Sequence, residues 1–439
     1  MKKILCLFLT FVLLLPLISC GNDLPSSESK TEEALPKTQE KETEEALPKT
    51  QEKEIEETKP EYPTVHQPLT WEKIDAIPVA KEGMTSEQLR QICLDLFRLS
   101  LTFQWTPAQD YSYKISEKNV VLKTGNVYAG VPYVAENAGG SFYAFLRCYD
   151  PETGILDLGS AKSAGVIPTL GTHCSSGAFW GWARVVNSIP SRYSTVMYHH
   201  EQGFLRVGPY QYFTPGDRWD REDNSTKNCC TANGQDVMFR SYAAIEPADG
   251  LLLVMPFGMH VRMAVSVTVV KNEDGTINGD KSYVTYLDQG SSWDEKDLGE
   301  EGSVSFQGGV DEKESFSKLY KTGYVPFTFG EFLGTDPIEK AEATLKPEGD
   351  VTLTQLKDAK LTSNYFLADI NLTAYDAEGK VRFTTACNPG NTFCVKTMEM
   401  DRLLMSAKTQ KEVKAAERVV IKAYLANGET VTVFDGKVL

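Results

Sequence analysis

The sequence predicts an α+β protein in which a helix-bearing layer packs on an antiparallel sheet and a mostly β module follows. Three observations carry this. Leu89, Ile92, Cys93, Leu96, Leu99 and Leu101 recur at helical spacing. Thr85 and Gln88 in front of them have capping-box spacing, so a helix runs to about Thr102. Residues 251–255, 259–267 and 282–287 read as three strands. The turn word Glu246-Pro247-Ala248-Asp249-Gly250 precedes them and Asn272-Glu273-Asp274-Gly275 interrupts them, which is the pattern of a meander. Beyond residue 340 the runs 351–353, 365–375, 381–385 and 419–424 alternate. Gly379, Gly390 and Gly428 punctuate them, Asn427-Gly428 is a hairpin signal, and a helix is expected near 409–418.

The chain of 439 residues has room for two or three domains, and 41% hydrophobic with 24% charged residues is globular composition. Acidic residues outnumber basic ones 60 to 45, giving a net charge of −15. That argues against a nucleic-acid partner, which needs a concentrated basic surface. Five histidines offer little material for a multi-histidine metal centre, and neither metal nor cofactor is expected.

Met1-Lys2-Lys3 followed by the apolar stretch 4–18 has the order of a secretory signal peptide, expected over residues 1–19. Leu17-Ile18-Ser19-Cys20 resembles the bacterial lipobox, which implies cleavage before Cys20 and lipid attachment to its thiol. A plain signal peptide is the alternative. Residues 20–61 read as a disordered tether. TEEALPKTQEKE at 31–42 recurs unchanged at 43–54, and residues 21–61 hold 13 acidic and 6 basic residues, too polar to cover the entropy of ordering. A domain over 62–335, with an N-terminal extension and an insertion, and an accessory domain over 336–439 are expected to follow.

Residues 61–79 are Pro-rich and read as extended. Cys93 reads as a small buried hydrophobe. In residues 124–150 glycines and aromatics interleave. Tyr128 and Tyr133 either wall a groove or pack a Gly-rich loop. In residues 171–188, GTHCSSGAFWGWARVVNS, Ala178, Phe179, Trp182, Val185 and Val186 recur at helical spacing. Cys174 then stands in a first helical turn, where free N–H groups and the helix dipole lower a thiol pKa. Residues 190–235 read as an insertion. Within it, Cys229-Cys230 are reduced, form a vicinal disulfide or pair elsewhere, and His199-His200 lack zinc-protease spacing. In the meander, His260 opens one strand while Asp288 or Gln289 closes its neighbour, on one rim. That spacing suits a base and the group that orients it.

Helix-borne Cys, sheet-borne His and a polar residue one strand later is the papain-like order. The local words resemble the bacterial cell-wall cysteine peptidases and amidases of the NlpC and CHAP kind. His173-Cys174-Ser175-Ser176-Gly177, with Trp180 and Trp182 behind, is similar to their nucleophile word. Tyr128-Ala129-Gly130-Val131-Pro132-Tyr133 is similar to the Tyr-x-Gly-x-Pro-Tyr word ahead of it. Pro247-Ala248-Asp249-Gly250 and His260-Val261 resemble the turn and base words. His173 replaces an Asp, a Ser is added before Gly177, and Ala248 replaces a Gly. The likeness covers roughly residues 84–330 and implies a papain-like core, with the helix-borne Cys packed on an antiparallel sheet.

The resemblance implies cysteine-dependent hydrolysis of amide bonds in peptidoglycan stem peptides at the cell surface. Cys174 would be nucleophile, His260 base and Asp288 orienting group, with Gln289 the alternative third member. Tyr128 and Tyr133 would line the groove, and His173 would line it or serve structure. Arg262 would meet a substrate carboxylate or stand on an exposed surface. A non-catalytic wall-binding or scaffold lipoprotein is the other reading, with the C-terminal module binding wall or bracing the rest. Tyr324, Phe327, Phe329 and Phe332 read first as core and second as a substrate wall. A disulfide between Cys387 and Cys394 is plausible outside the cytoplasm. The membrane is met through the lipid anchor alone. Oligomeric state is open, with a monomer favoured.

Overall fold

Thr85 and Gln88 form the capping box their spacing announces. The Thr85 hydroxyl accepts from Gln88 N–H and the Gln88 side chain accepts from Thr85 N–H, opening helix α1, Ser86–Thr102. The computed structural model describes residues 63–115, 118–133, 142–157, 171–189, 204–211, 226–255, 258–290, 303–305, 309–387, 389 and 395–439. They belong to one unit, Pro60–Leu439. The expected signal peptide, lipidation site Cys20, repeat tether, His199-His200 and Cys394 lie outside the described residues. Among the described residues no helix is long and apolar enough to cross a membrane.

The fold is α+β. Its central layer is a six-stranded antiparallel sheet built from β1 (Phe204–Arg206), β2 (Gly250–Met255), β3 (Gly258–Thr268), β4 (Tyr283–Asp288), β5 (Gly309–Ser315) and β6 (Val325–Phe329). Their spatial order is β5-β4-β3-β2-β6-β1. Leu253 lies opposite His260 in the β2–β3 hairpin, and Leu287 opposite Met263 in the β3–β4 pair, where a bulge falls at Thr285/Tyr286. Against this sheet pack α1 and a second helix, α2 (Cys174–Trp182), every residue of which is buried.

The turn before β2 is clamped from two helices. Arg90 of α1 donates to Pro247 O and to Asp249 Oδ1, each at 2.7 Å, and meets Glu246 at 2.9 Å. Trp182, closing α2, donates to Ala248 O at 2.8 Å. Ala248 holds φ +64°, the left-handed region that favours glycine, so the Ala-for-Gly departure falls where the backbone is strained. The clamp fixes where β2, and therefore its hairpin partner β3, enters the sheet.

Among the described residues two apolar cores occur. The first runs from Leu69 to Phe332 and takes in Phe366, Ala368 and Ala426; the second runs from Ala341 to Val438. The C-terminal layer holds a four-stranded sheet of Val381–Cys387, Leu367–Tyr375, Arg418–Leu425 and Thr430–Gly436 in that spatial order. A three-stranded sheet accompanies it. Phe366 meets Phe179 of α2 edge-on at 5.0 Å, and Tyr424 meets Tyr143 at 5.3 Å, so this layer backs α2 directly.

Several expectations need correction. The run 351–353 is no strand. Val351 makes one bridge to Val438, and Thr352 with Gln355 forms a second capping box opening the helix Leu353–Lys357. Residues 111–122 form an unforeseen hairpin of Tyr111–Ile115 with Lys118–Leu122. The segment expected as a decorating insertion contributes the edge strand β1 and the helix Thr226–Asn233. Cys229 and Cys230 sit on that helix as buried free thiols, since a helical backbone carries neighbouring side chains apart. Cys387 also carries a free thiol.

Arg90 and Asp249 are both almost fully buried. Removing one partner strands the other charge, so Arg90→Met is expected to lower unfolding free energy by about 3–5 kcal/mol. Urea unfolding measures it. Adding Asp249→Leu should recover part of the loss, and an Arg90→Met protein of unchanged stability would contradict the clamp.

Candidate active site

His173 is the N-cap of α2. Its Nδ1 accepts from Ser176 N–H at 3.2 Å, and Ser176 Oγ accepts from His173 N–H at 2.9 Å, a capping box with an imidazole in it. Because Nδ1 accepts, the ring proton belongs on Nε2. The next residue, Cys174, is the first of the helix, where unpaired N–H groups concentrate positive potential. The cap uses the N–H of Ser176 and, through the helix, that of Gly177, not that of Cys174.

The Cys174 Sγ lies 3.8 Å from Met259 O, the residue before His260 on β3, and the imidazoles of His260 and His173 both act on the thiol's acidity. His260 Nε2 lies 2.7 Å from Asp288 Oδ1, which leaves Nδ1 for the thiol. The Nε2–Oδ1 contact has the distance of a strong ion pair but lacks hydrogen-bond linearity, and Oδ1 has no other hydrogen-bond partner. Asp288 Oδ2 accepts from Arg262 Nε at 3.3 Å.

The electrostatics follow from these contacts. Burial alone would raise the Cys174 thiol. The His173 and His260 rings beside the thiol, with the charge on His260, outweigh it and bring the thiol down to about 6. Burial alone would lower His260. The Asp288 carboxylate, by charge and by contact, and the neighbouring thiol reverse this and raise the imidazole to about 10. Between those limits the pair is thiolate and imidazolium, and the two values belong to the pair rather than to either residue.

The structure therefore brings Cys174, His260 and Asp288 together. Gln289 points elsewhere: its amide donates to Val131 O at 2.9 Å and its side chain packs beside Gly177. Adjacent strand residues face opposite ways, which separates the two candidates for the third position. Tyr133 is half-buried, bridges Thr172 through the backbone, and has its phenol raised by burial and by the nearby Cys174 and Asp288 charges.

Three expected groove residues are placed differently. Tyr128 is 1% exposed and stacks on Trp105, with its hydroxyl accepting from Lys123 N–H, so it has no face to offer a substrate. His173 is buried in the cap rather than lining a surface. Arg262 is not a surface cation: it is held by Asp288 and packed between Tyr286 and Tyr324. Phe327, Phe329 and Phe332 are core.

Tyr324, expected as core first and substrate wall second, lies edge-on to His260 at 6.4 Å, whereas Tyr286 beside Arg262 was not singled out from the sequence. Tyr286 stands two before Asp288, so the period of a strand was a usable signal for it.

Among the described residues no cluster of three or more His, Cys, Asp or Glu is arranged to hold a metal. A cavity of about 510 Å³ lies away from the thiol, between Tyr143, Arg147 and the strands carrying Asp369 and Lys422. Compared with protein-family models, with curated proteins and with solved structures, the chain matches none.

A depressed thiol is thiolate above its midpoint and loses reactivity as pH falls through it. Alkylation of Cys174 is therefore expected to be half-maximal near pH 6. Cys148 and Cys230, which burial raises to about 11 and about 12, should stay unlabelled in the folded protein. Peptide mapping after iodoacetamide treatment across pH reads this. A Cys174 curve centred at about 8.5, where an unperturbed thiol titrates, would contradict it.

Proposed function

We propose that the chain is a cysteine hydrolase that cleaves amide bonds in peptidoglycan stem peptides at the bacterial cell surface, held to the membrane through lipid on Cys20. One arrangement supports the reading: a helix-start thiol 3.8 Å from the carbonyl of the residue before His260, and the His260 imidazole 2.7 Å from the Asp288 carboxylate. These are the parts that nucleophilic amide hydrolysis requires. A Cys-bearing helix on an antiparallel sheet, with His260 and Asp288 on adjacent strands, also suits the papain-like core implied by the sequence words around Tyr133, Cys174 and His260.

The thiolate of Cys174 attacks the carbonyl carbon. The C–S bond forms, the carbonyl π electrons move to oxygen, and the N–H of Cys174 stands at the helix start to receive that oxyanion. As the tetrahedral species collapses, His260 passes its Nδ1 proton to the departing amine nitrogen and the C–N bond breaks. Neutral His260 then takes a proton from water. The resulting hydroxide adds to the thioester, and the acid leaves with the thiolate restored. Asp288 keeps the second imidazole nitrogen protonated and the ring aimed throughout. The lipobox word and the polar repeat tether support a surface location.

The full-length protein should release fragments from purified stem peptides, read by mass spectrometry. Cys174→Ala should abolish release, and His260→Ala should lower turnover about 10²–10⁴-fold. The rate should be bell-shaped in pH. It should fall below about 6 as the thiolate is protonated and above about 10 as the imidazolium is lost. Retained cleavage in Cys174→Ala would sink the reading.

A further inference from the structure

His260 and Arg262 stand two apart on β3, so their side chains leave the same face. Arg262 Nε lies 3.3 Å from Asp288 Oδ2, while Asp288 Oδ1 faces His260 at 2.7 Å. The guanidinium carbon lies 4.1 Å from the centre of the Tyr286 ring and 4.6 Å from that of Tyr324. Nη1 lies 3.7 Å from Glu314 Oε2, and Glu314 meets the exposed Lys318 at 3.0 Å. From the thiol to the surface the charges alternate in sign: Cys174, His260, Asp288, Arg262, Glu314, Lys318.

A carboxylate held at one oxygen turns about its last torsion. Held at both, it is fixed in plane. That matters for Asp288 because its contact to His260 is close but not linear, so the second hold decides its angle. Two aromatic faces leave the planar guanidinium little room to move, and a lysine ammonium lacks both the fork and the flat face that fit there. The guanidinium is held by Nε on Asp288 and between both rings, with Glu314 beyond hydrogen-bond distance of Nη1, so its firmest polar hold is the Asp288 carboxylate.

We propose that Arg262 is a positioning residue that fixes the Asp288 carboxylate and, through it, the imidazole of His260. This rests on the reading of Cys174, His260 and Asp288 as catalytic. Arg262 acts through Asp288 and touches no reacting atom. His173, Tyr133 and Tyr324 are the other titratable groups facing the pair, and they are left unchanged by the test.

The test compares full-length wild type, Arg262→Met and Arg262→Lys by two readouts: kcat and KM on stem peptides, and the pH dependence of Cys174 alkylation, which needs no substrate. Arg262→Met is expected to move the alkylation midpoint up by about one unit and to lower kcat near neutral pH about tenfold. KM should stay within about twofold, because no substrate contact is removed. Arg262→Lys should behave like Arg262→Met. Should Arg262→Met fail to fold, Tyr286→Leu loosens the same clamp and should shift the midpoint in the same direction. A raised KM with unchanged kcat, full rescue by lysine, or an unmoved midpoint in folded variants would each overturn the proposal. A wild-type Cys174 that titrates as an ordinary thiol would instead overturn the catalytic reading beneath it.

Discussion

Everything at this site depends on how closely helix α2 approaches its neighbours. A Cβ at Gly181 would stand 2.9 Å from Phe97 Cβ, 3.0 Å from Met263 Cε and 3.3 Å from Cys93 O; one at Gly177 would stand 3.2 Å from the Phe97 ring and 3.3 Å from Gln289 Cβ. Two glycines one helical turn apart thus let α2 nest against α1 and β3 at a distance side chains would forbid. That approach sets Cys174, at the start of α2, against the start of β3, where Met259 O lies 3.8 Å from its sulfur. Trp182 at the far end of α2 then holds Ala248 O, and Arg90 of α1 holds the same turn, so the helix and the hairpin carrying His260 are tied at both ends. The C-terminal layer closes the back through Phe366 on Phe179, and Gly428 leaves room for the Arg184 guanidinium.

Given that placement, the chemistry is electrostatic. Burial works against both ions of the pair. It is overcome because each ion has partners aimed at it: two imidazoles on the thiol, and a carboxylate with the thiol on His260. His173 contributes twice. Its Nδ1 satisfies an orphan N–H of the helix start, and its ring lowers the thiol of the residue that follows it. An aspartate at the same position would cap the helix but would set a negative charge beside the thiolate.

Much of this was legible in the sequence where periodicity or capping chemistry is local. Thr85 with Gln88, the alternating strand holding His260, and the first-turn position of Cys174 follow from spacing alone. The same Thr-x-x-Gln signal at Thr352–Gln355 was hidden because the helix behind it has five residues, too few to show a period, and its approach alternates like a strand. Asp288 could not be separated from Gln289 because facing depends on register, and a bulge at Thr285/Tyr286 shifts the register just upstream. The burial of Tyr128 and the caging of Arg262 depend on rings from distant segments, Trp105 and Tyr324, that no local pattern joins to them.

The central claim is that His260 stands as an imidazolium beside a thiolate. Nitrogen-15 NMR of the histidine rings in the full-length protein, followed through neutral pH, reads it directly. The account predicts that both His260 nitrogens stay protonated from about pH 6 toward 10, with the alkaline change near the value Asp288 and Cys174 impose. A His260 ring that is neutral at pH 8, titrating at about 6.5 like a free imidazole, would contradict it.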